Sequence, residues 1–241
     1  MLSKTRGIVL NNIKYSESSI IVKIYTEGFG LQSYLIRSAK SKKSKLKAGI
    51  FQPLTLLELI VNHNKKSKLH SIKEITNCFQ FNEISVDIKK SSVALFIAEI
   101  INKSIREEEQ NKSLFDFLFD TIQSLDKKEG RISEFHLYFL LDLTNFLGFY
   151  PQNNFGERCA IFNLYDGKFQ EHAPEHPYFI EKELSKCLNE IIEISNIDRD
   201  KHQIPAVARK HLINKLIDYY RIHLNGFSTV KSHTVLEEIF L

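Results

Sequence analysis

Between Gly7 and Thr76 apolar and polar residues alternate in short runs; beyond Cys78 the apolar positions recur every three or four residues. The first pattern is that of half-buried strands, the second that of helices. Five runs carry the alternation: GIVLNNIKY, SSIIVKIYT, LQSYLIRSA, LTLLELIV and LHSIKEIT. They are rich in Ile, Val and Tyr, which suit a pleated surface. A polar turn at Ser16 to Ser18 separates the first two, Gly28 and Gly30 punctuate the next turn, and Pro53 opens the fourth run. Five short strands joined by turns predict a small antiparallel barrel, although a sandwich edge or an SH3-like barrel produces the same alternation.

The second half reads as helices. DIKKSSVALFIAEIINKSI places Val93, Ile97, Ile100 and Ile101 on one face, broadened by Leu95 and Phe96. NKSLFDFLFDTIQSLDK follows, with Asn111 or Ser113 as its cap. ISEFHLYFLLDLTNFLGF is the third, entered at Ser133, stopped by Gly148 and kept stopped by Pro151. Residues 152–177, rich in Gly, Pro and Asn, break the pattern and predict an irregular insert or small β-turn region. IEKELSKCLNEIIEI and AVARKHLINKLIDYYRIHL resume the helices, and TVLEEIFL reads as a short helix packing back. The change of texture places a boundary near residues 78–86. It divides the chain into a strand domain over 1–80 and a helical domain over 81–241.

Composition adds limits. Hydrophobic content of 43% with 26% charged residues is that of a globular chain. The best apolar run, Val93 to Ile101, is short and contains Glu99, and the first residues lack an apolar signal-peptide centre, so a cytosolic location is expected. Cys78, Cys159 and Cys187 are odd in number and widely spaced, which argues against a disulfide framework and against a complete four-cysteine zinc site.

Charge changes the picture most. The net charge is +4, yet residues 1–80 hold 14 Lys/Arg against four acids. The rest of the chain holds 19 Lys/Arg against 25 acids, so a +10 front is followed by a −6 back. Six cations (Arg37, Lys40, Lys42, Lys43, Lys45 and Lys47) fall within eleven residues between two predicted strands. A charge run is most simply a solvated surface. Here the whole strand-rich half shares its sign through Lys4, Arg6, Lys14, Lys23, Lys65, Lys66, Lys68 and Lys73. Spread cations on a rigid scaffold suit a phosphate backbone, whose condensed counterions they displace. Tyr15, Tyr25, Phe29 and Tyr34 lie within or beside the strands. They are candidates for base stacking or, more simply, for the core.

Other chemistry is weakly signalled. Gly28 and Gly30 lack the rest of a phosphate-binding loop, no G-x-S-x-G is present, and the consecutive acids of REEEQ do not converge on a site. Cys159, His172 and His176 are metal-ligand types, but Pro174 interrupts the histidine pair and no second cysteine follows Cys159, so a buried cysteine and two surface histidines are the default. Arg209 and Lys210 stand in the first turn of their predicted helix, where the dipole disfavours cations; this hints at an acidic partner outside the helix.

Three stretches together resemble the RecO family of bacterial recombination-repair proteins: RGIVLNNIKYSESSIIVKIYTEGFG, KSKKSKLKAGIFQPLTLLEL and ARKHLINKLIDYYRIHLNGFSTVKSHTVL. They occur in family order, so the resemblance spans nearly the whole chain. It implies an α+β protein: a five-stranded OB-type β-barrel followed by an all-helical domain with an irregular insert. It implies a non-enzymatic DNA-binding mediator that binds single- and double-stranded DNA, anneals complementary strands and helps load RecA on coated single strands. RecR and the acidic, Phe-ended tail of the single-stranded DNA-binding protein are the implied partners, in the bacterial cytoplasm at the nucleoid. The tail site maps to Arg131, with Phe135, Leu137 and Leu141 as pocket candidates that are more simply core. Many relatives carry a four-cysteine zinc module where this chain keeps only Cys159, so no cofactor is expected. Two rival readings remain: an RNA-binding OB module in translation or RNA metabolism, and a nuclease with an unrecognised site.

Overall fold

The computed structural model describes residues 2–37, 48–64, 67–194, 198–199 and 201–240. Its chain falls into two compact units: residues 1–87 with 98–127, and residues 88–97 with 128–241.

The first unit is built on one antiparallel sheet of β1 (Leu2–Lys14), β2 (Ile20–Thr26), β3 (Gly30–Ile36), β4 (Leu56–Asn62) and β5 (Ser71–Asn77), in the order β3-β2-β1-β4-β5. The long β1 is shared. Its first part pairs with β4 from Leu2–Asn62 to Ile8–Leu56, its second with β2 from Gly7–Thr26 to Lys14–Ile20. A bulge between Val9 and Asn11 lets it turn from one partner to the other. Ile20, Val22 and Ile24 of β2 face Tyr34 and Ile36 of β3 and Leu57, Leu59 and Val61 of β4 in a dry core. The sheet curls but is not closed. Among the described residues its edges meet only at an isolated parallel bridge, Tyr34 to His70, where His70 N donates to Ser33 O at 2.9 Å and Leu35 N donates to His70 O at 3.0 Å.

Compactness also groups α2 (Lys112–Lys127) with the sheet, beyond the division at residue 80 drawn from texture. The reasons are specific contacts. Buried Asp126 accepts from the backbone N–H groups of Asn82, Glu83 and Ile84, and so ties α2 to the segment after β5. Ahead of α2, Leu31 N donates to Glu107 O. The Asn111 side chain caps α2, accepting from Leu114 N at 3.0 Å.

The helix α1 (Ile88–Ser104) has residues in both units. The second unit contains α3 (Phe135–Leu147), α4 (Lys182–Glu193), α5 (Ala206–His223) and α6 (His233–Phe240). Gly148 ends α3 in the left-handed conformation at φ 84°. Tyr219 and Tyr220 of α5 send their hydroxyls to the carbonyls of Phe149 and Leu140, each at 2.7 Å. The stretch expected to be irregular carries a small sheet instead: β6 (Ile161–Asn163), β7 (Lys168–Gln170) and β8 (Phe179–Ile180), in the order β7-β6-β8. Phe155 and Phe162 pack against Phe169, and Phe162 against Tyr219. Ser185 ties it to α4, accepting from Phe162 N and donating to Ile180 O.

Candidate nucleic-acid interface

The sheet sorts the predicted cations into two groups. Arg6 is committed inside the unit. Its guanidinium donates twice to Glu27, at 2.9 Å each, and once to Asp116 at 3.0 Å. It also lies over the rings of Phe115 and Phe119, 5.2 and 4.8 Å from their centroids. The hydrogen bonds with Glu27 raise the Arg6 pKa further and hold the Glu27 carboxyl below its usual range. Such a group joins sheet to helix, and this takes Arg6 out of the set free to meet phosphate. Lys4 pairs with Glu58 of β4 at 3.0 Å, although its side chain is largely exposed.

Lys14, Lys23 and Arg37 form the other group and have no carboxylate partner among the described residues. Register explains their common surface. Val22 and Ile24 point into the core, so Lys23 between them points outward, in a row with Asn11 and Ser33. The next outward row is Ile13, Ile21 and Leu35. Lys14, Ile20 and Ile36 stand in register at the end of the sheet, so Tyr15 and Arg37, the next residues of β1 and β3, leave at that same end. Tyr15 is 64% exposed and Ile13 52%. An aromatic ring, an aliphatic strip and three unpaired cations thus share one edge of the β1-β2-β3 surface, the combination that takes stacked bases and their phosphates. Lys40, Lys42, Lys43, Lys45 and Lys47 lie outside the described residues; their segment leaves from Arg37 and rejoins at Ala48.

Of the four aromatic candidates, Tyr15 alone is exposed. Tyr25 and Tyr34 are fully buried, and Phe29 is stacked on His63 with centroids 4.2 Å apart. The model "Recombination protein O N terminal" matches residues 1–81, and "Recombination protein O C terminal" matches residues 85–232. The chain belongs to the RecO family. The RecO of Azobacteroides pseudotrichonymphae is 35% identical over 240 residues and that of Flavobacterium psychrophilum 38% over 242, each alignment covering 100% of both chains. The RecO of Bacteroides fragilis is 35% identical over 241 residues, with the same full coverage. All three are named DNA repair protein RecO. The RecO amino-terminal domain is an OB-fold, and its match coincides with the five-stranded sheet.

The helical half of this RecO chain rearranges the remaining expectations. Arg131 is exposed but donates to Glu134 at 2.9 Å. Leu137 and Leu141 are core, and Phe135 is half-buried. No pocket forms from these four; the cleft nearby is lined instead by His136, Arg209, Lys210 and residues of α6. The zinc module of RecO relatives does not fit the donors present. Cys159 sits in a tight turn, exchanging backbone hydrogen bonds with Gly156, while His176 packs edge-on against Tyr165 and His172 is exposed. Among the described residues no three His, Cys, Asp or Glu side chains gather as a metal site. Sequence reasoning missed Ile13 as a surface residue, because alternation alone does not say which end of a strand outruns its core. No helix among the described residues is long and apolar enough to cross a membrane.

Proposed function

We propose that the protein is a non-catalytic DNA-binding recombination mediator: it binds single- and double-stranded DNA through the β1-β2-β3 surface and the basic segment beside it. In this reading it brings complementary strands together and helps RecA replace single-stranded DNA-binding protein, with RecR and that protein's acidic tail as partners. The observation that carries it is the group of unpaired cations, Lys14, Lys23 and Arg37, beside exposed Tyr15, at the end of the sheet where the lysine-rich segment departs. Membership of a family whose relatives are named for DNA repair supports it. Annealing needs no bond chemistry. Cations neutralise two repelling strands, so complementary bases meet more often.

The test is a salt titration. Replacing Lys40, Lys42, Lys43, Lys45 and Lys47 by Gln should flatten the log–log dependence of DNA affinity on salt. If each meets a phosphate, the slope shallows by about 4.5 on duplex and about 3.5 on single strands. An unchanged slope would mean that the segment is solvated surface. Tighter binding of RNA than of DNA of equal length would favour an RNA partner through the 2′-OH.

A further inference from the structure

The helix α6 is short and weakly buried; of its eight residues only Leu236 is fully buried. Eight residues are too few for a helix to persist alone in water, so α6 depends on its docking site. That site is cationic and aromatic. Lys210 faces Glu237 at 3.3 Å, and Asn214 donates to the same carboxylate at 2.9 Å. Arg209 donates to the Phe240 carbonyl at 2.8 Å, and the Phe240 ring stacks over His136, with centroids 6.3 Å apart. The first-turn cations of α5, unfavourable to their own dipole, thus find an acid and a carbonyl on α6.

Beneath them the site holds its shape without α6. Arg209 is fixed from below by the Ile204 carbonyl at 2.6 Å and by buried Glu134 at 3.4 Å. One polar atom is left over. His136 is 3% exposed, lines the cleft, and its Nδ1 has no hydrogen-bond partner. Burial, and then the Arg209 charge, hold its pKa down at about 3, so the ring is neutral. Unpartnered buried polar atoms are rare and call for an explanation such as a ligand. With α6 in place the cleft spans about 270 Å³ including its open mouth, below the ~300 Å³ at which small-molecule pockets begin. A peptide that replaced α6 would have the room that a ligand beside it lacks.

We propose that α6 is a displaceable plug, occupying in cis a cleft on α5 that docks an acidic peptide carrying a carboxylate about one helical turn ahead of an aromatic ring. Lys210 takes the carboxylate, His136 and Ile213 the ring, and the outward N–H of Arg209 a backbone carbonyl. The cleft shares no residue with the proposed DNA surface, so the two readings fail separately.

The test uses the full chain and, as probe, a fluorescent peptide of the plug's own sequence, HTVLEEIF. Glu237→Ala with Phe240→Ala loosens the plug and should tighten probe binding at least about tenfold over the natural chain, because an internal competitor is weakened. Adding Lys210→Ala should abolish the gain, with DNA binding the same in all three proteins. Probe binding that is absent from the loosened protein, equal in all three, or indifferent to Lys210→Ala overturns the proposal. Hydrogen exchange on the unaltered protein gives a second readout that needs no variant. Amides of Leu236 to Phe240 should exchange through a local opening, well ahead of those of Leu212 to Tyr220; exchange of both only on global unfolding is the contrary result.

Discussion

Arg6 shows what a single residue hides. In the sequence it is one more cation of a +10 half. In the fold its acids come from 21 and 110 residues away, Glu27 and Asp116. A list of charges cannot reveal such partners, because ion pairing is decided by which elements meet. Lys23 was the more legible case: it stands between two core-facing residues of β2, so period two alone sends it outward. The difference between the two is measurable. Arg6→Ala leaves two carboxylates facing each other and uncovers two phenyl rings, which should cost about 1–3 kcal/mol; the figure stays low because the guanidinium is partly exposed. Urea unfolding reads that loss. The salt slope of DNA binding should stay unchanged in the same variant, and a slope shallower by about one would show that Arg6 meets a phosphate after all.

At the scale of elements, the strands and helices were legible wherever one face had to be buried. Alternation located all five strands of the main sheet, and Gly148 and Asn111 marked helix ends through their own backbone chemistry. What escaped depended on contacts far apart in sequence. The closing edge of the sheet rests on the single Tyr34–His70 bridge, which no local pattern announces. The sheet β6–β8 has strands of two or three residues, too short for periodicity to register, and is held by packed phenyl rings and Ser185 instead. Gly30 joins both levels. Sequence marks it as turn punctuation, whereas the structure adds a close approach. It has φ 64°, and a Cβ there would lie 2.2 Å from the Glu109 carbonyl oxygen and 2.8 Å from that of Glu107. Backbone oxygens cannot swing aside as a side chain could. Gly30→Ala should therefore destabilise by more than about 2 kcal/mol, combining a strained φ with a forced displacement. Gly49→Ala, where a Cβ meets nothing within 4 Å, is the matched control. A Gly30→Ala protein that melts with the natural chain would show that the segment before α2 does not press on this turn.

For the whole molecule, the division of charge matters more than its sum. A net +4 would give only weak attraction to a polyanion, but +10 gathered in residues 1–80 is a local field. If annealing works by neutralising strands, then binding and annealing must fail together as salt rises. With about five phosphates engaged on a single strand, raising salt from 50 to 200 mM should cut affinity about a hundredfold. The ratio of annealing rates with and without protein should collapse over the same interval, even though bare strands anneal faster in salt. The five-lysine variant should already behave at 50 mM as the natural chain does at higher salt. Complementary labelled oligonucleotides, followed by energy transfer at several salt concentrations, measure both quantities in one cell. Annealing that outlives binding, or that the five-lysine variant performs as well as the natural chain, would locate the strand-pairing activity elsewhere than in this charge. The candidates would then be Tyr15 and the exposed strip around Ile13, which act through stacking and contact and respond little to salt.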